Sequence, residues 1–284
     1  MKIQHFFDKR TWTLTYVVHD EPTRMGVVID SVMDFEPQSG RTWDESCAAV
    51  AHYIDAHELT IPYVLDTHVH ADHLSGMGYF KHAYGARSVI GNHITQVQSR
   101  FRHLFNLGEG FPTDGSQFDI LLRDEDILEV GSLSVKALHT PGHTPACLTY
   151  QVGDALFVGD TLFMPDYGTA RCDFPGGSAE ILYESIQRIY ALPDDTRIYT
   201  CHDYQPGGRA VRCESTVGEE RATNVQLNAR TSKEEFVAFR TKRDATLNVP
   251  ALILPSLQVN IRAGNLPEAE SNGIAYLKLP LNIF

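Results

Sequence analysis

The run Asp66-Thr67-His68-Val69-His70-Ala71-Asp72-His73 constrains this chain more than any other segment. Three histidines and an aspartate fall within six residues, directly after the apolar stretch Ile61-Pro62-Tyr63-Val64-Leu65. Such a stretch, rich in branched side chains, reads as a buried strand. The polar cluster then occupies the loop at the strand's end, where side chains converge on chemistry rather than on packing. Imidazole and carboxylate are the groups from which proteins build sites for first-row metals. A fold with this run must therefore bring further ligands to the same strand end.

Three later segments repeat the pattern. Thr140-Pro141-Gly142-His143 follows the strand-like Leu133 to Leu138, Asp160 follows Ala155 to Val158, and Cys201-His202-Asp203 follows Arg197 to Thr200. Metal ligand types thus stand at four strand ends: His68, His70, Asp72 and His73; His143; Asp160; and His202. Any one of the later residues alone reads as an ordinary loop histidine or turn-capping aspartate. Their repeated placement marks a metal centre.

The ordered set resembles the metallo-β-lactamase superfamily over nearly the whole chain. The resemblance implies an αβ/βα sandwich, in which two mixed sheets face each other, helices cover both outer faces, and the metal lies at one sheet edge. Fold alone does not select among that superfamily's chemistries. Two readings of the ligand types stay open. A divalent ion can lower the pKa of bound water to about 7 and serve hydrolysis, whereas one iron held by two histidines and a carboxylate leaves positions open for O2.

Segments after Asp160 narrow the choice. Thr169-Ala170-Arg171-Cys172-Asp173-Phe174, Cys201-His202-Asp203-Tyr204 and Thr216-Val217-Gly218-Glu219-Glu220-Arg221 resemble the persulfide dioxygenases related to the ethylmalonic encephalopathy protein, bacterial type. That resemblance implies one Fe(II) on His68, His143 and Asp160, with glutathione persulfide and O2 as substrates and sulfite as product. His70, Asp72, His73 and His202 then form either a supporting shell or a second metal site. Arg171, with Asp173, is a candidate for holding substrate, or else a structural ion pair. Arg221 is a candidate for a glutathione carboxylate, or else a partner of Glu219 or Glu220. Tyr204 is a candidate pocket wall, and Asn260 and Arg262 are weaker substrate candidates. The alternative is a glyoxalase II-like hydrolase of glutathione thioesters with one or two zinc ions. A third reading, a persulfide or metal sensor without turnover, leaves open metal positions unexplained. The chain departs from the dioxygenase pattern where Thr169-Ala170 replaces a Cys-Gly pair, and in a longer segment at about 98–118. That insertion is read as a cover for the site, a determinant of the thiol carrier, a homodimer contact, or a plain surface insertion.

Bulk properties fit an enzyme of this kind. The 284 residues carry a net charge of −12 with no basic patch suited to nucleic acid, and a chain of this length buries a core without disulfides. The five scattered cysteines lack metal spacing and fit a reducing cytoplasm. No apolar run approaches the roughly 20 residues of a membrane span, and the N-terminus lacks a signal-like apolar core. One domain is expected over 1–284, with an extension at about 217–284. Periodicity predicts a strand from Trp12 to Val18 with a hairpin partner from Met25 to Val32. It predicts a helix from Thr42 to His57 opened by a Thr42/Glu45 capping box. Further helices are expected over Gly76 to Tyr84, His93 to Leu107, Ser178 to Leu192, Val217 to Ala229 and Ser232 to Thr241. Strands are expected between Phe118 and Phe163, and Pro250 and Pro255 are expected to leave the end extended or looped.

Overall fold

The computed structural model describes residues 1–283. Its first sheet has six strands: β1 (Lys2–Asp8), β2 (Thr13–His19), β3 (Met25–Ile29), β6 (Thr60–Leu65), β8 (Arg87–Gly91) and β9 (Ile120–Leu122). The early strands pair antiparallel, and β3, β6, β8 and β9 run parallel. The second sheet contains β10 (Ile127–Val130), β11 (Leu133–His139), β12 (Leu148–Val152), β13 (Ala155–Phe157), β14 (Arg197–Tyr199) and β15 (Glu214–Thr216). Only its β13–β14 pair is parallel. A small sheet joins β4 (Val32–Glu36), β5 (Arg41–Trp43) and β7 (Leu74–Ser75).

Alternation explains why the sheets face each other. On β2, Leu14, Tyr16 and Val18 point into a cluster with Val135, Tyr150 and Phe157 of the second sheet, whereas Val17 points the other way. Successive strand side chains lie on opposite faces, so both faces of β2 are buried. Helices α1 (Glu45–Ala56), α2 (Met77–Tyr84) and α3 (Ile94–Leu104) cover the outer face of the first sheet. Helices α4 (Ala179–Tyr190), α5 (Val217–Thr223) and α6 (Lys233–Asp244) cover that of the second. The last helix, α7 (Ile253–Asn260), returns to the first sheet's side. This is the αβ/βα sandwich that the family resemblance implied.

Four local expectations are corrected. Met25 to Val32 is not one strand, because Asp30 turns the chain with φ +51° before β4 begins. A non-glycine residue there is uncommon and often functional. Thr42 pairs with Phe35 inside β5, so it does not cap α1. The Glu45 carboxylate instead accepts from Arg10 and Trp43. The helix from Val217 stops at Thr223, because the Asn224 Oδ1 accepts from the Gln226 and Leu227 amides and bends the chain away. The C-terminal end is helical over α7, since Pro255 falls in its first turn, where no intrahelical N–H is needed.

Candidate metal centre

Each donor reaches the centre from the C-terminal end of a strand. β6 delivers the loop of His68, His70, Asp72 and His73, while Asp160 and His202 follow β13 and β14. His143 follows β11 within the turn Pro141-Gly142-His143. Gly142 has φ +136°, and a Cβ there would lie 2.4 Å from the Leu182 backbone, so only glycine lets the turn press onto α4.

The chain brings His68, His143 and Asp160 together, with one donor atom from each within 4.8 Å of the others. The Asp160 Oδ2 lies 3.8 Å from His68 Nε2 and 3.7 Å from His143 Nε2. His70, Asp72, His73 and His202 form a second such group. The other Asp160 oxygen, Oδ1, lies 3.4 Å from His202 Nε2, which is 3.2 Å from Asp72 Oδ2. Asp160 therefore faces both groups, one oxygen to each.

Supporting contacts select which ring nitrogens face inward. His143 Nδ1 donates to the Arg171 carbonyl at 2.8 Å, leaving Nε2 for the centre. His70 Nε2 donates to the Asp30 carboxylate at 3.0 Å, leaving Nδ1. Asp30 also accepts from the Thr67 amide and hydroxyl, so it braces the loop from the turn before β4. Histidine ligands are commonly oriented in this way through the second nitrogen. Asp30 was missed from the sequence, although it stands after an apolar strand just as Asp160 does.

Eleven buried side-chain polar atoms lack a hydrogen-bond partner among the described residues, and six belong to this centre. They are His68 Nε2, His70 Nδ1, Asp72 Oδ2, His73 Nε2, Asp160 Oδ1 and His202 Nε2. Buried polar groups are nearly always paired, so a convergent set of unpaired donors fits a metal. Burial, then the neighbouring His70, holds His68 well below the usual imidazole pKa; burial and His73 do the same for His70. Both rings are thereby kept neutral and free to coordinate. Burial disfavours the charged form of Asp72, yet His202 and His73 beside it keep its carboxyl well below the ordinary range.

A cleft of about 470 Å³ opens onto His143, Asp160 and Asp72. Trp12, Phe163, Tyr167 and Tyr204 form its aromatic side, with the Tyr167 and Tyr204 rings 4.7 Å apart. Arg171 also lines the cleft and is anchored by Asp173 at 2.5 Å and by the Asn248 carbonyl at 2.7 Å. Asp173 itself does not line the cleft. Arg221 is not brought there either: it bonds Asp194 and the Tyr190 carbonyl, neither of them the Glu219 or Glu220 expected. Asn260 lies behind the metal loop, and Arg262 stacks over Phe111 in a separate cleft.

The fold and the centre together define a metallo-β-lactamase-type enzyme, and the chain belongs to the metallo-beta-lactamase superfamily, whose model matches residues 13–202. It is 52 % identical to a probable metallo-hydrolase of Burkholderia pseudomallei, over 99 % of both chains. It is 32 % identical to the mitochondrial persulfide dioxygenase ETHE1 of Homo sapiens, over 92 % of this chain and 88 % of that one. Among solved structures it is similar to ETHE1 from Myxococcus xanthus, with a TM-score of 0.75 and 30 % identity over 93 % of this chain and all of the other. No helix among the described residues is long and apolar enough to cross a membrane.

Proposed function

We propose that this chain is an Fe(II)-dependent persulfide dioxygenase of the cytoplasm, converting glutathione persulfide or a related small persulfide, with O2 and water, to sulfite and thiol in sulfide detoxification. The observation that carries this reading is the His68, His143 and Asp160 group, of which His143 and Asp160 line a cleft with aromatic residues. The likeness to human ETHE1 supports it. Ferrous iron in a site of two histidines and one carboxylate leaves positions open and supplies the redox chemistry that O2 requires.

The protein's own residues position and shield. The Arg171 carbonyl fixes the His143 ring, while the side chain of the same residue, held by Asp173, lines the cleft and is the proposed anchor for an anionic substrate. Trp12, Phe163, Tyr167 and Tyr204 reduce access of water to a reactive sulfur. Arg171→Met is expected to raise KM for glutathione persulfide about tenfold with metal content unchanged. An unchanged KM with lowered stability would make the Arg171–Asp173 pair structural.

A specific observation favours a second reading. The unpaired atoms of His70, Asp72, His73 and His202 form a complete second donor group, with Asp160 between the two. Two zinc ions held there would suit a glyoxalase II-like hydrolase, and the Burkholderia relative's name points the same way. Anaerobic purification, iron and zinc quantification, and paired assays decide between them. One iron per chain with persulfide-dependent O2 uptake and sulfite formation supports the dioxygenase. Two zinc ions with cleavage of S-lactoylglutathione overturns it.

A further inference from the structure

The C-terminal helix reaches the main chain of the metal loop through the side chain of Asn260. Asn260, the last residue of α7, is 1 % exposed. Its Nδ2 donates to the carbonyls of His70 and His73, each at 2.8 Å. Its Oδ1 accepts from the Ser75 amide, also at 2.8 Å. The amide group is used in full: both hydrogens and the oxygen go to main-chain atoms of one loop. A second contact lies just beyond. Gly264 has φ +76°, and a Cβ there would meet the Ser75 carbonyl at 2.7 Å, so the chain after α7 lies directly on the same loop. The insertion steadies this arrangement. Gln98 of α3 donates to the Ile261 carbonyl and accepts from the Gly115 amide, tying both sides of the insertion to the end of α7.

The loop needs such a brace. It leaves its strand at Leu65 and carries its ligand side chains in non-repeating backbone before β7 forms at Leu74. The ring nitrogens of His70 and His73 that face the centre have no protein partner. Their direction therefore depends on where the main chain holds them. Asp30 fixes the His70 ring, but it does not touch the main chain of His73 or Ser75.

We propose that Asn260 is a positioning residue for the metal centre, a strap from the C-terminal extension that sets the backbone of the His70–Ser75 loop and thereby the affinity of the His70, Asp72, His73 and His202 side for a divalent ion. The insertion contributes to that side by bracing α7 through Gln98. This role concerns the affinity of the second donor group for added ions and is read without turnover, so its failure is separate from that of the dioxygenase reading, in which that group holds no iron.

The full-length apoprotein, titrated with Co(II) and Zn(II) against a chromophoric chelator, provides the test. Asn260→Ala and Asn260→Asp are expected to weaken metal binding by about 10–100-fold, the range found when a partner that orients a ligand is removed. Asn260→Asp keeps the size and the Ser75 acceptor but sets a carboxylate oxygen against the His70 and His73 carbonyls, and Asn260→Ser, smaller and uncharged, addresses the strap if neither of the other variants folds. Gln258→Ala, on the same helix but bonded to Lys278 of the tail, is expected to leave affinity within about twofold of wild type. Hydrogen exchange of the wild-type apoprotein adds a reading that needs no variant. The Ser75 amide is expected to exchange only with global opening of the fold. Wild-type affinity in a folded Asn260 variant overturns the proposal. So does fast Ser75 exchange from the native apoprotein, or an equal loss of affinity in Gln258→Ala.

Discussion

Two buried polar clusters differ in how their atoms are satisfied. Around Asp160, six buried donor and acceptor atoms point at one another without hydrogen bonds. Beneath α6, Arg240 and Asp244 are as deeply buried, yet their polar atoms are paired. Arg240 donates to Asp244, to the Thr169 carbonyl and to Gln226, while Asp244 also accepts from the Cys172 amide. Glu220 and Asn224 nearby are bonded in the same manner. The first cluster is incomplete without an external ion; the second closes on itself and holds α5 and α6 to the rest of the fold. Satisfaction, rather than burial or charge, separates the functional cluster from the structural one.

The largest expected effect tests the first cluster. His68→Ala, His143→Ala and Asp160→Ala are each expected to lose the metal and lower kcat/KM on the order of 10³-fold or more. Apoprotein stability is expected to change by no more than about 1–2 kcal/mol, because the inward-facing atoms have no hydrogen-bond partners and each histidine gives up a single bond, to Thr67 or to the Arg171 carbonyl, while water can enter the polar space. Metal analysis, steady-state assays and urea unfolding of the metal-free variants measure both sides. A large stability loss without metal would break the comparison, by showing that the cluster holds the fold together. Metal is also expected to raise the Tm of wild type but not of these variants.

The second cluster is expected to behave in the opposite way. Arg240→Met strands the Asp244 carboxylate in the interior together with the acceptors at Thr169 and Gln226. Breaking a buried pair from one side costs about 3–5 kcal/mol. Urea unfolding of the apoprotein is expected to show that loss, while the metal affinity of the folded fraction stays near wild type. Reduced affinity at unchanged stability would instead tie Arg240, which also lines the cleft, to the metal centre.

The same distinction sets what could be read from the sequence. Strand periodicity and the acids and histidines that follow each strand placed His68, His143, Asp160 and His202 at one edge, since the fold collects those strand ends there. Asp30 carried an equal signal that was not read as such. Asn260 stood out only as a weaker substrate candidate, and nothing in the sequence pointed to the metal loop: an asparagine on a short helix more than 180 residues from that loop is defined by the contact it makes. Arg221 pairs outside the cleft, because its partner, Asp194, comes from the turn after α4 and could not be read from the Glu219-Glu220-Arg221 run. The Thr42/Glu45 pattern met the local rule for a capping box, but strand pairing with Phe35 and the nearby Arg10 claimed both residues. At Ser232 and Glu235 no such competitor stands nearby, and the box forms. Local rules succeed where nothing distant competes for the same atoms.

Glu220 gives the smallest and most specific test, because hydrogen bonds there offset burial only in part. Burial raises its pKa from 4.5 to about 7, while bonds from Ser215 and Asn224 pull it back down. The folded state thus favours the protonated carboxyl more than the unfolded state does. Its contribution to stability is present in full below pH 4.5 and is lost as pH rises through 7, where a charged carboxylate must stay buried. Glu220→Gln keeps the shape and cannot ionise. Urea unfolding of both proteins is expected to give similar stabilities at low pH, with the variant ahead by about 1–3 kcal/mol at alkaline pH. A difference that does not change with pH would mean that the Ser215 and Asn224 bonds fully support the carboxylate, making this corner of the second cluster as well satisfied for the charged form as for the neutral one.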